Sequence, residues 1–207
     1  MLAAFLNNED IHQATAAKVF NVSLEEVTRT QRGNAKTVNF GIIYGVSAFG
    51  LSQQTDLNRT EAKELIDTYY ATYPKLRNYI QEQVDFARDN GYVTTVLGRR
   101  RYLKDINSQN AVVRGAAERN AVNAPIQGSA ADIIKLAMIA IQSKLESENW
   151  KAKMLLQVHD ELVFDVPKEE VEALQKMVKN EMENAFFSLD VPLVVDMGIG
   201  TNWLEAH

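Results

Sequence analysis

Arg32, Lys36, Phe40 and Tyr44 recur every four residues in the stretch RGNAKTVNFGIIYG. An α-helix turns about 100° per residue, so each step of four moves only about 40° around the axis and the four side chains share one stripe. Two cations occupy its N-terminal half and two aromatic rings its C-terminal half. Such an order suits a ligand with phosphate at one end and a base at the other. Arg presents a fork of donors to phosphate oxygens, Lys a mobile point charge, and a ring face stacks on a base. An amphipathic helix with basic residues beside an apolar face is the plain structural alternative. Gly41 argues against it, because a mid-helix Gly costs about 1 kcal/mol and calls for a close approach to justify it.

A second group with chemistry in it is MLLQVHDELVFDVP, residues 154–167. Apolar residues run through Met154, Leu155, Leu156 and Val158 and then alternate as Leu162, Phe164 and Val166. Between them sit His159, Asp160 and Glu161. A charged triplet is costly inside a buried strand, so the pattern predicts a β-hairpin with carboxylates at its tip. Adjacent carboxylates favour a bound cation, and Mg²⁺ takes oxygen ligands, usually one or two carboxylates plus substrate phosphates. An ordinary solvated turn is the alternative.

Together these segments carry a resemblance. RGNAKTVNFGIIYG resembles the finger-helix motif of family A DNA polymerases, and QVHDELVFDVP the last catalytic motif of that family. ERNAVNAPIQGSAADIIKLA, residues 118–137, resembles its primer–template contact segment, and VPLVVDMGIGTNW its terminal palm strand. The order and spacing fit along essentially the whole chain.

The resemblance implies template-directed transfer of a nucleotide from dNTP to a primer 3′-hydroxyl with two Mg²⁺ ions. It implies that Asp160 ligates metal, with Glu161 supporting, and that His159 lies near the primer terminus. Lys36 is implied to contact the α-phosphate region and to be placed to protonate pyrophosphate. Arg32 and His12, the latter in the block DIHQATA, are implied to hold the outer phosphates. Phe40 is expected to pack on the incoming base or sugar and, as Phe rather than Tyr, to disfavour dideoxynucleotides. Tyr44 is expected near the templating base. Arg119, Asn123 and Gln127, again four apart, are assigned to the minor groove and sugars of the nascent pair, where acceptors lie alike for every base pair. Arg99, Arg100 and Arg101 suggest contact with the template backbone.

The elements that must position these groups follow from local signals. Helices are expected after the cap Asp10, after the capping box at Ser23, along the stripe up to Gly45, and over 48–54. Two more should run from Asn58 to Tyr73 and from Pro74 to Asn90–Gly91, before a small hairpin over 92–103. Tyr69, Tyr70, Tyr73 and Tyr79 read as packing residues. Next come a helix over 110–123 broken at Pro125, a second over 127–148, the carboxylate hairpin, a helix over 168–187 and a strand over 193–199. The fold class is α+β. By the resemblance, residues 1–123 form helical fingers and residues 124–207 part of a palm with an antiparallel sheet.

At 207 residues and 46% hydrophobic content the chain can bury a sizeable core. Zero Cys removes disulfides and thiolate metal sites and fits a cytoplasmic protein. A net charge of −5 alone counts against nucleic acid, but Arg99, Arg100, Arg101 and Lys104 are clustered. No uninterrupted apolar run approaches a membrane span, and no membrane partner is expected.

Residues 1–9 lack the Asp-Tyr-Ser-like motif that carries the family's other metal-binding aspartate, and no thumb is present. The expectation is a C-terminal piece of a larger polymerase, inactive alone, whose partners are DNA primer–template, dNTP and the missing upstream part. A module that binds dNTP or primer–template without turnover is the main rival; an RNA polymerase of the same broad fold and an unrelated α+β protein are others. The polymerase reading requires the finger stripe to look toward the acidic hairpin tip.

Overall fold

A computed structural model describes residues 2–186 and 188–206, with all side chains there except that of Ile43. The fold is α+β: helices dominate, with two small antiparallel hairpins. Two compact units divide the chain after Gln127.

In the first unit, α1 (Leu2–Leu6) precedes α2 (Ile11–Phe20), and the stripe lies in α3 (Arg29–Ile43). The α3 start has a signal not anticipated above, a capping box. Thr28 Oγ1 accepts from Gln31 N, and Gln31 Oε1 accepts from Thr28 N. Tyr44 is the C-cap, and Gly45 at φ +69° turns the chain out of the helix. Helices α4 (Ala48–Ser52), α5 (Arg59–Thr72) and α6 (Pro74–Asn90) follow. Asn58 caps α5 in a box with Glu61, Pro74 opens α6, and Gly91 at φ +75° closes it. Strands β1 (Tyr92–Thr94) and β2 (Arg100–Tyr102) form the small hairpin.

Val38, Ile42, Leu51, Ala62, Leu65 and Tyr69 make one core of this unit. Tyr69 is 1% exposed and its ring meets those of Tyr70 and Tyr73, so these tyrosines are packing residues as expected. Gly41 also has a structural reason: a Cβ there would lie 2.7 Å from the Val46 side chain. The close approach that Gly41 permits is made by this chain itself.

The break expected at Pro125 does not occur. A single helix, α7 (Ala111–Ser147), runs through it. Proline removes one backbone hydrogen bond and costs about 3 kcal/mol in a helix interior. Burial outweighs that cost here, since Ala117, Ala121 and Val122 pack in a core of the first unit and Ala137, Ile141 and Leu145 in the core of the second. By length and composition α7 is also apolar enough to cross a membrane, with a stretch of mean hydropathy 1.3. No such segment was expected from uninterrupted apolar runs. The two cores take up part of its apolar content, while Val112, Ile126 and Ile139 on the same helix are exposed.

In the second unit, β3 (Lys153–Val158) pairs antiparallel with β4 (Glu161–Asp165), and α8 (Val171–Glu183) packs on the hairpin. The register shifts between Met154 and Leu156, a bulge that takes Leu155 out of the ladder. Met154, Leu162 and Phe164 face the core shared with Leu174 and Val178, while Leu155 and Leu156 are 54% and 52% exposed. The helix expected over 168–187 ends at Glu183, and its predicted terminus Phe187 lies outside the described residues. The strand expected over 193–199 is absent among the described residues: this segment is irregular and joins no ladder. Alternating apolar residues become a strand only where a neighbour takes their backbone hydrogen bonds. A short helix, α9 (Trp203–Ala206), ends the described chain.

Candidate functional site

The stripe stands as the helical period predicted. Arg32, Lys36, Phe40 and Tyr44 are all exposed, while Ala35, Val38 and Ile42 are buried on the opposite side of α3. Phe40 and Tyr44 are 50% and 49% exposed, which excludes hydrophobic core as their role.

The start of α2 brings His12 to this face. Asp10 Oδ1 caps the helix by accepting from His12 N and Gln13 N, and its Oδ2 accepts from Arg32 Nε at 2.7 Å. One carboxylate therefore ends α2 and holds one edge of the Arg32 guanidinium. The His12 ring lies 5.6 Å from that of Phe40. Burial lowers the basicity of His12; Asp10 opposes this, and Arg32 and Lys36 add to it. The ring is thus biased toward its neutral form.

Burial raises the Asp10 carboxyl, but hydrogen bonds from Gln13, Arg32 and His12 outweigh it and the net shift is downward. A depressed folded-state value contributes stability above the ordinary carboxylate range near 3.9, lost as pH falls through the folded value. Asp10→Ala should therefore destabilise the chain by about 1 kcal/mol at pH 7. Chemical denaturation at pH 7 and near pH 2.5 checks this, since the gap from the parent chain should narrow in acid.

A cavity of about 610 Å³ opens beside the aromatic half of the stripe, lined by Lys36, Phe40, Tyr44, Gly45, Ser47 and Arg119 among others. Gly45 is required there twice over. Its φ is positive, and a Cβ would lie 2.7 Å from Arg119 Cγ. Because α7 is continuous at Pro125, Arg119, Asn123 and Gln127 are successive steps on one helix face. Among the described residues, Asn123 Oδ1 is buried without a hydrogen-bond partner. Such an acceptor costs stability unless something else satisfies it.

In the second unit, Val158 pairs with Glu161 across a two-residue turn of His159 and Asp160. His159 has φ +55°, a backbone region that non-glycine residues seldom adopt and that is strained for them. Gln157 Nε2 donates to His159 O at 2.9 Å and braces the turn. Asp160 is exposed at the tip and Glu161 half-buried beside it. Hard carboxylate oxygens fit Mg²⁺, which takes its remaining ligands from water and phosphate. Among the described residues no group of three or more His, Cys, Asp or Glu side chains forms a metal cage.

Comparison with known proteins supplies the decision. The model of DNA polymerase family A matches residues 1–205. The chain belongs to DNA polymerase family A. DNA polymerase I of Caldicellulosiruptor bescii is 53% identical to this family A chain over 205 residues, 99% of the chain and 24% of the relative. DNA polymerase I of Bacillus subtilis is 50% identical over 206 residues, all of this chain and 23% of that protein. Among solved structures, the POL domain of Pol1 from M. smegmatis, in complex with DNA primer–template and dNTP, superposes with a TM-score of 0.93 at 46% identity. That match covers 99% of this chain and 36% of the other. The family A chain spans about a quarter of the length of its curated relatives.

Proposed function

We propose that this chain supplies the fingers and part of the palm of a DNA-directed DNA polymerase, with fingers over 1–123 and palm over 124–207. The carrying observation is the exposed face of α3, where two cations lead into two rings with His12 beside Phe40. Membership of family A, and a structural neighbour solved in complex with DNA primer–template and dNTP, support the same reading.

Arg32, one edge held by Asp10, and His12 grip the outer phosphates. Lys36 meets the α-phosphate region, where its ammonium offsets charge on the oxygens and offers a proton to departing pyrophosphate. Phe40 packs on the base or sugar, excluding water from one side and disfavouring a sugar without its 3′-hydroxyl. Tyr44 lines the cavity proposed for the templating base. Arg119, Asn123 and Gln127 read the minor-groove edge of the new pair, and a hydrogen-bond donor on the duplex would satisfy the buried Asn123 Oδ1. His159 sits at the primer terminus, and the Arg99–Arg101 run follows the template backbone. Asp160, with Glu161 in support, would hold Mg²⁺, which in a two-ion arrangement supplies neutralisation of phosphate charge. A cytoplasmic setting belongs to the same proposal.

One observation favours a second reading for the 207 residues taken alone: among the described residues no further carboxylate cluster joins Asp160 and Glu161. One or two carboxylates underligate two ions, so we propose that this chain alone binds without turnover. The upstream part of the same polymerase would then be the partner that completes the metal site. Titrating dNTP and primer–template separately, in EDTA and in Mg²⁺, should give saturable binding without product. Robust primer extension by the isolated chain would refute the claim of an incomplete metal site, and absence of either binding isotherm would refute the polymerase reading.

A further inference from the structure

A line of hydrogen bonds beneath the stripe reaches His12 from the interior. Asn39 lies on α3 between the buried Val38 and the exposed Phe40. Its Nδ2 stands 3.0 Å from His12 Nδ1, and its Oδ1 accepts from the Tyr69 hydroxyl at 2.9 Å. Thr15, fully buried, bonds both amide atoms at 3.3 and 3.4 Å and accepts from the Tyr73 hydroxyl at 3.4 Å.

Direction can be read along this line. Burial pushes the Tyr69 phenol well above its ordinary range, so it keeps its proton at any working pH. That proton goes to Asn39 Oδ1, which leaves the amide nitrogen facing the imidazole. An amide NH₂ only donates, so His12 Nδ1 must accept, and the neutral ring carries its proton on Nε2. Asp10, Arg32 and Lys36 are the charged groups acting on the ring, and none replaces Asn39 at Nδ1.

We propose that Asn39, oriented by Tyr69, is a positioning residue that fixes His12 as the Nε2–H tautomer, ready to donate to an outer phosphate oxygen of the incoming nucleotide. This rests on the reading that His12 meets the triphosphate. A neutral donor beside Arg32 and Lys36 grips the phosphates without adding a third cation, so pyrophosphate can still depart.

Long-range ¹H–¹⁵N spectra of the histidine rings of the unliganded chain test the positioning directly. His12 is assigned by its loss in His12→Ala. The expected result is an Nε2–H ring in the parent chain. Asn39→Asp, whose carboxylate accepts from Nδ1, should change it to Nδ1–H and raise its titration midpoint. Tyr69→Phe, which keeps the ring that packs the core, should leave a mixture of tautomers. An Nδ1–H ring in the parent chain would mean the amide is turned the other way and would overturn the proposal, whether or not the variants fold. So would an Nε2–H ring that persists in both Asn39→Asp and Tyr69→Phe. Titration with dNTP separates the underlying reading: Asn39→Asp and His12→Ala should each weaken affinity roughly tenfold or more. If the tautomer switches as expected while both affinities stay at the parent value, the phosphate role of His12 fails and the fixing of its tautomer stands.

Discussion

Asp160→Asn, placed in a polymerase that carries this chain, should reduce primer extension by about 10³-fold. The substitution is nearly isosteric, and Asp160 is an exposed turn residue, so the hairpin and its stability should be unchanged. What is lost is a formal charge and a strong hard-oxygen ligand. Charge stabilisation by a bound metal amounts to several kcal/mol, and each 1.36 kcal/mol is a factor of ten in rate. About 4 kcal/mol therefore corresponds to three decades. The turn favours this residue over its neighbours: His159 accepts a positive φ, Gln157 braces its carbonyl, and Asp160 is delivered to the exposed tip. Glu161 is half-buried at the first position of β4, so Glu161→Gln should cost less, about tenfold. Single-turnover extension across a Mg²⁺ series measures both. An Asp160→Asn enzyme within threefold of the parent rate would remove Asp160 from the metal site.

The stripe and the hairpin were legible in the sequence because each is a local period. Four-residue spacing on a helix and an apolar–charged–apolar run in a hairpin need no distant partner to fix their geometry. Failures came where a partner decides. Pro125 looks like a terminator by its own chemistry, yet Ala117, Ala121 and Val122 before it and Ala137, Ile141 and Leu145 after it pack in separate cores and carry the helix through. Residues 193–199 have the alternation of a strand but no ladder neighbour among the described residues. Thr28 was a missed signal rather than a hidden one, since Thr-x-x-Gln before the helix is a readable capping box. The network behind His12 was hidden. Asn39 and His12 are 27 residues apart, Asn39 and Tyr69 30 apart, and nothing in the neighbourhood of any one of them announces the other two. Of its members, His12 was assigned by resemblance and Tyr69 and Tyr73 as packing residues, while Asn39, Thr15 and the Tyr69 hydroxyl were left without a task.

Lys36 should carry the largest effect on the fingers side. Lys36→Met keeps the length and apolar stem of the side chain and removes the ammonium. Among the described residues Lys36 has no ion pair, whereas Arg32 is tied to Asp10. Loss of its charge therefore breaks nothing in the folded chain, and the unfolding midpoint should not move. A preorganised donor aimed at developing charge contributes about 10²–10³ in rate when removed. We expect a fall of that size in the single-turnover rate at saturating dNTP, with a smaller change in dNTP affinity. Arg32→Ala should do the reverse, weakening affinity with the rate at saturation little changed, because outer-phosphate contacts bind ground and transition states alike. Lys36→Arg separates the two tasks assigned to the ammonium. A guanidinium restores charge but cannot give up a proton, so a recovered rate would reduce the role of Lys36 to electrostatics, and a rate as low as that of Lys36→Met would favour proton donation. If Lys36→Met and Arg32→Ala instead produce the same change in affinity and none in rate, the stripe holds phosphate without taking part in the chemistry.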